Sequence, residues 1–550
     1  MSADLSPSPA PLEPDSADAV TDASAKRPGW LRLSHQHTAL SATLLLMAST
    51  ILSRVIGLLR DTYTAWRFGA GGDVDSYTAA FQLPDMINYF LVGGVASIAF
   101  VSILGRYREQ GKEKDGEDAL SAILTMMLVV LGAGIVLGEV FARYFVAWWF
   151  DKFTPEKIDL TTHMTRILLP VQLFFFAGGV LGSVLIVRKQ FAYQAIGPLI
   201  YNLGIVFGGV TLAHRMGISG LSVGALIGVI LGPFLINAIG VYRTGFRLRL
   251  SLAWNHPGVK EWVRLSLPLI LGVSLVTFDT WIINRIASAG DGQIAQLNYA
   301  KKFFTAPMAI LGMAAGAASM PFFAALIGQG KREEFARLVN SSVTRIIAVS
   351  LLGSAWMIGL ARPAIDLMLH HGALQQRNAL AIALYFSLFA ISLCFWSAQS
   401  IYARAFYAAG NTLTPMVAGT IITIASYPMY KLLYRTHGTI GLVWASNLGI
   451  FVQTVVMAFL LHRCRLARLG GIEWKELART LLAAMVALVA LRAMMRYLPQ
   501  HGGMIADTIS LTLGTLVWVA ISAGLLMAMG SQLPQTVLGR FRKRSAPQSA

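Results

Sequence analysis

Three charged residues lie in the first long apolar segment of the chain, and their types and spacing suggest anion binding. The segment reads TALSATLLLMASTILSRVIGLLRD and carries Arg54, Arg60 and Asp61. A charge at the centre of a bilayer costs at least ~2.5 kcal/mol, so such residues usually face protein or a water-filled cavity. Guanidinium groups bind phosphate oxygens in pairs and stay charged at any relevant pH. We therefore expect Arg54 to face a cavity with Arg60 nearby, where the two would suit a diphosphate headgroup.

Helix geometry leaves a second interpretation open for Arg60 and Asp61. At about 100° per residue, Arg54 and Asp61 share one helix face while Arg60 points elsewhere. A helix that ends here would place Arg60 and Asp61 at the lipid headgroups, where long charged side chains extend to water. Gly57 would instead permit a bend that brings both arginines toward one cavity.

Three further residues are candidates for the same site. Asp75 opens the second apolar segment, where it is either a first-turn helix acid or a substrate-binding residue. Lys301 and Lys302 lie near the start of the eighth segment in QLNYAKKFF. Either both lysines are headgroup anchors, or Lys302 adds positive charge to the site while Lys301, about 100° away on the helix, has a structural or coupling role.

Two other pairs of charged residues have the spacing of local contacts. Asp279 and Arg285 in the seventh segment could pair with each other or line an ion site. Glu139 and Arg143 are four residues apart, which favours an ion pair on one helix. No metal-ligand spacing or catalytic motif occurs in a confirming context, so we expect no metal, no cofactor and no enzyme activity.

The composition defines the class of protein that must position these residues. The 550 residues are 55% hydrophobic and 13% charged, with a mean hydropathy of +0.60. Soluble domains carry about 25% charged residues, and runs of about twenty apolar residues match the thickness of a bilayer. We predict an all-α polytopic membrane protein with about 14 transmembrane helices. The predicted segments are 38–60, 76–104, 118–147, 160–187, 193–213, 219–242, 262–287, 295–327, 340–361, 378–408, 412–433, 440–462, 477–497 and 504–530.

The basic residues predict the orientation of these helices. The net charge is +18, and the connections that follow even-numbered segments carry many basic residues, whereas those that follow odd-numbered segments carry few. Connections 69–75 and 287–293 carry none. By the positive-inside rule both termini are cytoplasmic. Residues 1–35 are predicted to be a disordered N-terminal tail and 533–550 a basic cytoplasmic tail.

An internal repeat predicts two lobes. DTYTAWRFGAGGD (61–73) and DTWIINRIASAGD (279–291) share five residues at a constant offset, and GISGL (217–221) is echoed by GTIGL (438–442). Both copies follow helices of equal parity, so the repeat is parallel. We predict two pseudo-symmetric six-helix lobes, an N-lobe (36–245) and a C-lobe (246–465), plus two C-terminal helices (466–532). Transporters often bind substrate between such repeats.

SRVIGLLRD, followed by FGAGGDVDSYTAAFQLPD, closely resembles the start of the MurJ (MviN) family of lipid II flippases, which belongs to the MOP exporter superfamily. The family pattern is Ser-Arg-Val-x-Gly-x-x-Arg-Asp, then Phe-Gly-Ala-Gly, Asp-Ala-Phe and Leu-Pro-Asn. FAYQAIGPLIYNLGIV (191–206) and NTLTP (411–415) resemble later family segments. The resemblance implies the MOP exporter fold and a role in flipping for Arg54, Arg60 and Asp75.

The chain also departs from the family pattern in both lobes. Asn88 stands where the family has a basic residue, and Gly93 stands where it has an acid. In the second lobe, Tyr-Ala-Asp-Arg-Leu becomes Tyr299-Ala300-Lys301-Lys302-Phe303. Lys302 keeps the charge of the family arginine but lacks its fork. These departures leave open a related polyprenyl-diphosphate-linked sugar as the substrate.

The expected function is alternating-access transport of lipid II, an undecaprenyl-diphosphate-linked peptidoglycan precursor, from the inner to the outer leaflet of the bacterial cytoplasmic membrane. It would serve cell-wall synthesis and cell shape, with coupling to a cation or to the membrane potential. One alternative is a MOP-type exporter of another lipid-linked oligosaccharide or of drugs; cationic drugs would require an acidic cavity. A membrane enzyme would require clustered Asp, His or Glu in polar loops, and a structural protein would leave the repeat unexplained.

Overall fold

The described residues of the computed structural model are 39–92, 96–270, 275–498, 503–531 and 533, and within them the regular structure is helical throughout. This confirms the predicted all-α class. The predicted N-terminal tail and residues 534–550 of the C-terminal tail lie outside the described residues, as does Gly93.

In the described part of the N-lobe there are nine α-helices. They are α1 (Ala39–Phe68), α2 (Gly72–Ala80), α3 (Gln82–Ile87), α4 (Ala96–Glu109), α5 (Glu113–Trp149), α6 (Pro155–Val187), α7 (Phe191–Met216), α8 (Ser219–Val229) and α9 (Asn237–Arg243). Two π-helical stretches, Asn88–Val92 and Ile230–Ile236, interrupt this series. The first follows Pro84 and the second contains Pro233, because a proline removes one hydrogen bond of the regular helix. Helix α1 continues to Phe68, so the predicted helix end at residue 60 is wrong.

The C-lobe and the C-terminal pair contain eleven α-helices within the residues that the structure describes. They are α10 (Pro257–Ile270), α11 (Leu275–Ala287), α12 (Gln293–Met308), α13 (Ala314–Gly328), α14 (Arg332–Gly359), α15 (Ala361–Leu369), α16 (Gln376–Ala390), α17 (Leu393–Ala408), α18 (Leu413–Arg463), α19 (Trp474–Tyr497) and α20 (Gly503–Ala528). Helices α16 and α17 meet at a bend of 44°. Helices α19 and α20 attach to the C-lobe, where the indole N–H of Trp356 on α14 donates to Thr515 Oγ1 on α20 (2.9 Å).

Helices occupy all fourteen predicted segments, although several segments are divided into shorter helices. In the described part of the chain, nine helices are long and apolar enough to cross a membrane, or ten if the bent α16–α17 pair is one span. Helix α18 covers two predicted segments because its break at Gly438 falls within one element. A polytopic membrane protein is therefore confirmed, and the count of fourteen crossings stays a prediction.

The backbone at corresponding positions supports the parallel repeat. Gly217 after α7 has φ 56° and ψ −140°, and Gly438 within α18 has φ 58° and ψ −140°. The turns before α5 and α14 also match: Gly111 and Gly330 have φ of 68° and 72°. The sequence echo between the two halves thus coincides with equal chain reversals.

The linker between the lobes packs against the N-lobe. Arg249 N–H donates to Ser121 Oγ (3.1 Å), and Ser251 N–H donates to Thr125 Oγ1 (2.9 Å). The ring of Trp262 on α10 stacks on Phe100 of α4, with centroids 5.7 Å apart. The first element assigned to the C-lobe is therefore anchored on the N-lobe.

The chain reversal at Gly438 provides a stability test. Its backbone conformation is one that side chains other than glycine rarely adopt, at a cost of about 1–3 kcal/mol. A Cβ at Gly438 would meet no atom within 4 Å, so Gly438→Ala tests the backbone alone. We expect a clearly lower melting temperature for the detergent-solubilised variant. Gly470→Ala, which also has open space but no positive φ, should melt like the wild type; equal melting of both variants would contradict the assignment.

Candidate functional site

The guanidinium of Arg60 is held inside the N-lobe. Its Nη1 donates to Asn202 Oδ1 on α7 (2.9 Å), and its Nε and Nη2 donate to Asp61 Oδ1 (3.2 and 3.0 Å). The side chain is 21% exposed. Gly57 lies one turn away, where a Cβ would approach Asn202 Oδ1 to 3.7 Å. Arg60 is thus oriented by two fixed acceptors, and the alternative in which Arg60 and Asp61 mark a helix end at the headgroups is wrong.

The carboxylate of Asp61 also receives a cation from the other lobe. Lys302 on α12 donates from Nζ to Asp61 Oδ1 (3.0 Å), the same oxygen that accepts from Arg60. Lys302 retains 46% side-chain exposure, whereas Asp61 retains 12%. Arg60, Asp61 and Lys302 form an inter-lobe triad that carries one net positive charge. Its cationic side chains retain accessible surface for an anionic ligand.

Arg54 lies on the Asp61 face of α1, about two helical turns (~10 Å) further along. Its side chain is exposed, and it makes no hydrogen bond or ion pair with any described residue. The structure thus places Arg54 in line with the triad but not in contact with it. A ligand extending along α1 could contact both.

Asp75 links the lobes by capping a helix. The buried carboxylate accepts hydrogen bonds from the backbone N–H groups of Gly292 (2.6 Å) and Ala295 (2.8 Å) at the start of α12. Its side chain is 0% exposed, and Lys157 Nζ lies 3.5 Å from it. A carboxylate at this position stabilises the positive end of the helix dipole. In this conformation Asp75 offers no exposed atom to a ligand, and its predicted substrate contact stays a prediction.

Lys301 faces the interior of the C-lobe, whereas Lys302 faces the N-lobe. It pairs with Asp279 on α11 and donates to Thr280 Oγ1 (2.8 Å). Asp279 also accepts from Tyr430 and from Ser446 Oγ (3.0 Å), both on α18. Asp61 and Asp279 are corresponding residues of the sequence repeat. Each accepts from one of two adjacent lysines on α12, so the headgroup-anchor interpretation is wrong for both lysines.

The two predicted local pairs do not form. Arg285 lies over the rings of Trp148 and Trp149 on α5, with its Cζ 5.0 and 4.7 Å from their centroids, so it does not pair with Asp279. Arg143 pairs with Asp159, and Glu139 lies 4.0 Å from Arg166; both of these partners are on α6. Neighbouring helices supply better partners than the residue four positions away.

Contacts between the lobes close one end of the site. Tyr299 donates from its hydroxyl to Gly69 O (3.3 Å), and Ala373 N–H donates to Trp66 O (2.8 Å). The Asp75 cap lies at the same end. These contacts involve the connections 69–75 and 287–293, which the distribution of basic residues predicts to be on the outer side. The triad lies about two to three helical turns from that closed end.

Sequence reasoning missed Asn202 and Gln172. Asn202 accepts from Arg60, and its Nδ2 also donates to Pro198 O (3.0 Å). Gln172 accepts from Asn88 Nδ2 (2.8 Å). Both amides lie in apolar helices, and that isolation is the signal that could have identified them.

Two helical lobes that share a charged cluster at their interface define a two-lobed membrane transporter. The model of the lipid II flippase MurJ family matches residues 64–520, so the chain belongs to that family. The lipid II flippase of Burkholderia cenocepacia is 26% identical over 503 residues, covering 89% of this chain and 97% of the relative. A probable lipid II flippase of Buchnera aphidicola is 26% identical over 450 residues, covering 80% and 87%.

Solved structures confirm the fold. A lipid II flippase in an inward closed conformation superposes with a TM-score of 0.74 at 20% identity, covering 88% of this chain and 99% of that one. An inward-facing MATE family transporter of the MOP superfamily gives 0.62 at 15% identity, covering 76% and 98%. The predicted MOP exporter fold is therefore confirmed.

The buried pair of Lys301 and Asp279 generates a second stability test. Lys301→Ala would leave a buried carboxylate without its cation, at a cost of about 3–5 kcal/mol. We expect a large drop in melting temperature, partly reversed by the added change Asp279→Asn, which removes the stranded charge. Lys302→Ala, at a half-exposed position, should melt close to the wild type. A stable Lys301→Ala variant would show that Asp279 does not depend on this lysine.

Proposed function

We propose that this chain moves lipid II, the undecaprenyl-diphosphate-linked disaccharide pentapeptide, from the inner to the outer leaflet of the bacterial cytoplasmic membrane. Family membership and the names of the matched relatives support this substrate. The observation that carries the proposal is the inter-lobe triad, in which one carboxylate oxygen accepts from a cation of each lobe (3.0 Å from Arg60 and 3.0 Å from Lys302).

A diphosphate would compete with Asp61 for these cations. Arg60 can offer its fork to two phosphate oxygens, and Lys302 can offer a point charge from the opposite side. Arg54 would contact the headgroup one to two turns further from the closed end. The polyprenyl tail would stay in the bilayer, because only the charged and sugar-bearing part requires a polar path.

Alternating access would follow from movement of one lobe relative to the other. The closed end formed by Asp75, Tyr299 and Ala373 would open toward the outer leaflet while the opposite end closes. Moving one elementary charge through ~100 mV is worth ~2.3 kcal/mol, so the membrane potential could drive a charged step. In this assignment the chain is a transporter, since no bond of the cargo is formed or broken. Both termini would lie in the cytoplasm.

The arginines of α1 provide the first functional test. Arg60→Ala and Arg54→Ala should abolish complementation of a cell depleted of its lipid II flippase, at near-normal protein levels. Arg54→Lys should be partly defective, because a point charge replaces the fork. The matched control is Arg67→Ala, an exposed arginine at the outer end of the same helix. Full activity of both alanine variants would remove the arginines from the site.

Lys302 provides the second functional test. Lys302→Ala removes a charge-assisted contact worth about 1.5–3 kcal/mol, so cargo affinity should fall roughly 10- to 100-fold. Lys302→Arg should be tolerated or improve transport, because it restores the fork of the family pattern. Flipping is compared at matched expression. Wild-type activity of Lys302→Ala would show that the C-lobe cation does not contact the cargo.

A further inference from the structure

Four aspartates lie on helices at the interface between the lobes, and three of them have partners. Asp61 accepts from Arg60 and Lys302, Asp75 caps α12, and Asp279 is held by a lysine, a tyrosine and a serine. The fourth, Asp85 on α3, makes no hydrogen bond or ion pair through its carboxylate with any residue in the described part of the chain. Unlike the other three aspartates, Asp85 thus has a carboxylate without a partner among the described residues.

Asp85 lies on the face of α3 that is turned away from the N-lobe core. Leu83 and Ile87, on the opposite face of α3, pack into the N-lobe core. Asp85 shares its face with Tyr89 one turn later, whose ring lies 5.6 Å from that of Trp281 on α11. The Asp85 side chain is exposed while Pro84 beside it is buried, so the carboxylate is accessible to a ligand.

One tyrosine on α7, Tyr201, relates Asp85 to the triad. This tyrosine lies within electrostatic range of both Asp85 and Arg60. It directly precedes Asn202, the acceptor for Arg60. Tyr201 on α7 is thus the titratable group that interacts with Asp85, and Arg60 on α1 and Tyr77 on α2 interact with the same tyrosine. On α5 and α6, which also pack against α3, Glu139 and Arg166 lie beside each other.

An unpaired carboxylate inside a membrane protein needs a counter-charge, since an uncompensated buried charge costs several kcal/mol. Together with the proposed site residues Arg54, Arg60, Lys302 and Asp61, Asp85 completes a set of three cations and two carboxylates with one net positive charge. A diphosphate with both phosphates ionised carries more negative charge than this net positive charge can neutralise. A cation on Asp85 would balance the loaded site.

We propose that Asp85 binds a monovalent cation, either a proton or an alkali-metal ion, and that this occupancy is coupled to transport. Cation binding stands on the geometry alone, whereas the coupling rests on the proposed function. Asn88, one turn along the chain, donates from Nδ2 to Gln172 (2.8 Å) and keeps its carbonyl oxygen for a cation.

The first experiment uses the purified full chain without cargo. One arm follows the carboxylic C=O band by infrared difference spectroscopy between pH 5 and 9. The other arm compares melting in NaCl and in choline chloride at equal ionic strength. We expect a signal in one arm that Asp85→Asn abolishes. The asparagine is isosteric and matches the Leu-Pro-Asn pattern of the family, so the variant should fold.

Asp73→Asn is the matched control, because Asp73 is an exposed carboxylate at the outer end of the same region. It should keep the wild-type signal. A wild-type protein without a signal in either arm, or an Asp85→Asn variant that retains the signal, would overturn cation binding. Neither result depends on the identity of the cargo.

The second experiment tests coupling in proteoliposomes that contain lipid II. A gradient of the cation identified in the first experiment should change the flipping rate of the wild type several-fold and leave Asp85→Asn unaffected. Cargo binding by the variant should stay within about threefold of the wild type, because Arg60 and Lys302 remain. A variant that keeps the gradient response would overturn the coupling. Failure of the wild type to bind lipid II would instead contradict the proposed function and leave the cation result standing.

Discussion

The ion contacts of Asp61 are the constraint on which the arrangement of the two lobes depends. A buried carboxylate is costly to desolvate, and the cost is offset only where cations and hydrogen-bond donors are fixed around it. Arg60 comes from the same helix and Lys302 from the opposite lobe, so the interaction is complete only when the lobes are close at this level. An anion that bound these cations in place of Asp61 would change the free energy of bringing the two lobes together. In the proposed function, ligand binding and lobe position would therefore be linked through the Asp61 carboxylate.

Helix α12 carries this linkage along the molecule. Its N-terminus is capped by Asp75 of the N-lobe, and its two adjacent lysines extend in different directions. Lys302 contacts Asp61 and Lys301 contacts Asp279, which are corresponding positions of the internal repeat. A displacement of α12 would thus disturb the closed end and both ion pairs together. The repeat supplies carboxylates at two equivalent positions, Asp61 and Asp279. Each of them pairs with one of the two adjacent lysines of α12.

The sequence predicts those features that depend on one chain segment or on the repeat. A charged Arg60 or Lys302 inside the membrane costs free energy unless it faces a polar site. In the structure both side chains contact Asp61. Adjacent lysines must diverge on a helix, and the structure shows that divergence. The predicted pairs Asp279–Arg285 and Glu139–Arg143 are wrong because local spacing does not specify tertiary partners. Arg285 packs over two tryptophan rings of the N-lobe, and Arg143 forms an ion pair with Asp159 on the neighbouring helix.

The difference between Arg60 and Lys302 has a mechanical consequence. Arg60 is fixed by Asn202 and Asp61, so its donors keep one orientation relative to the N-lobe. Lys302 has a flexible stem of methylene groups and a charge without directional preference. It can follow an anion over a range of distances between the lobes, which a second fixed fork could not do. The chain therefore combines one rigid and one compliant cation, and cargo held between them would lose its C-lobe contact gradually as the lobes separate.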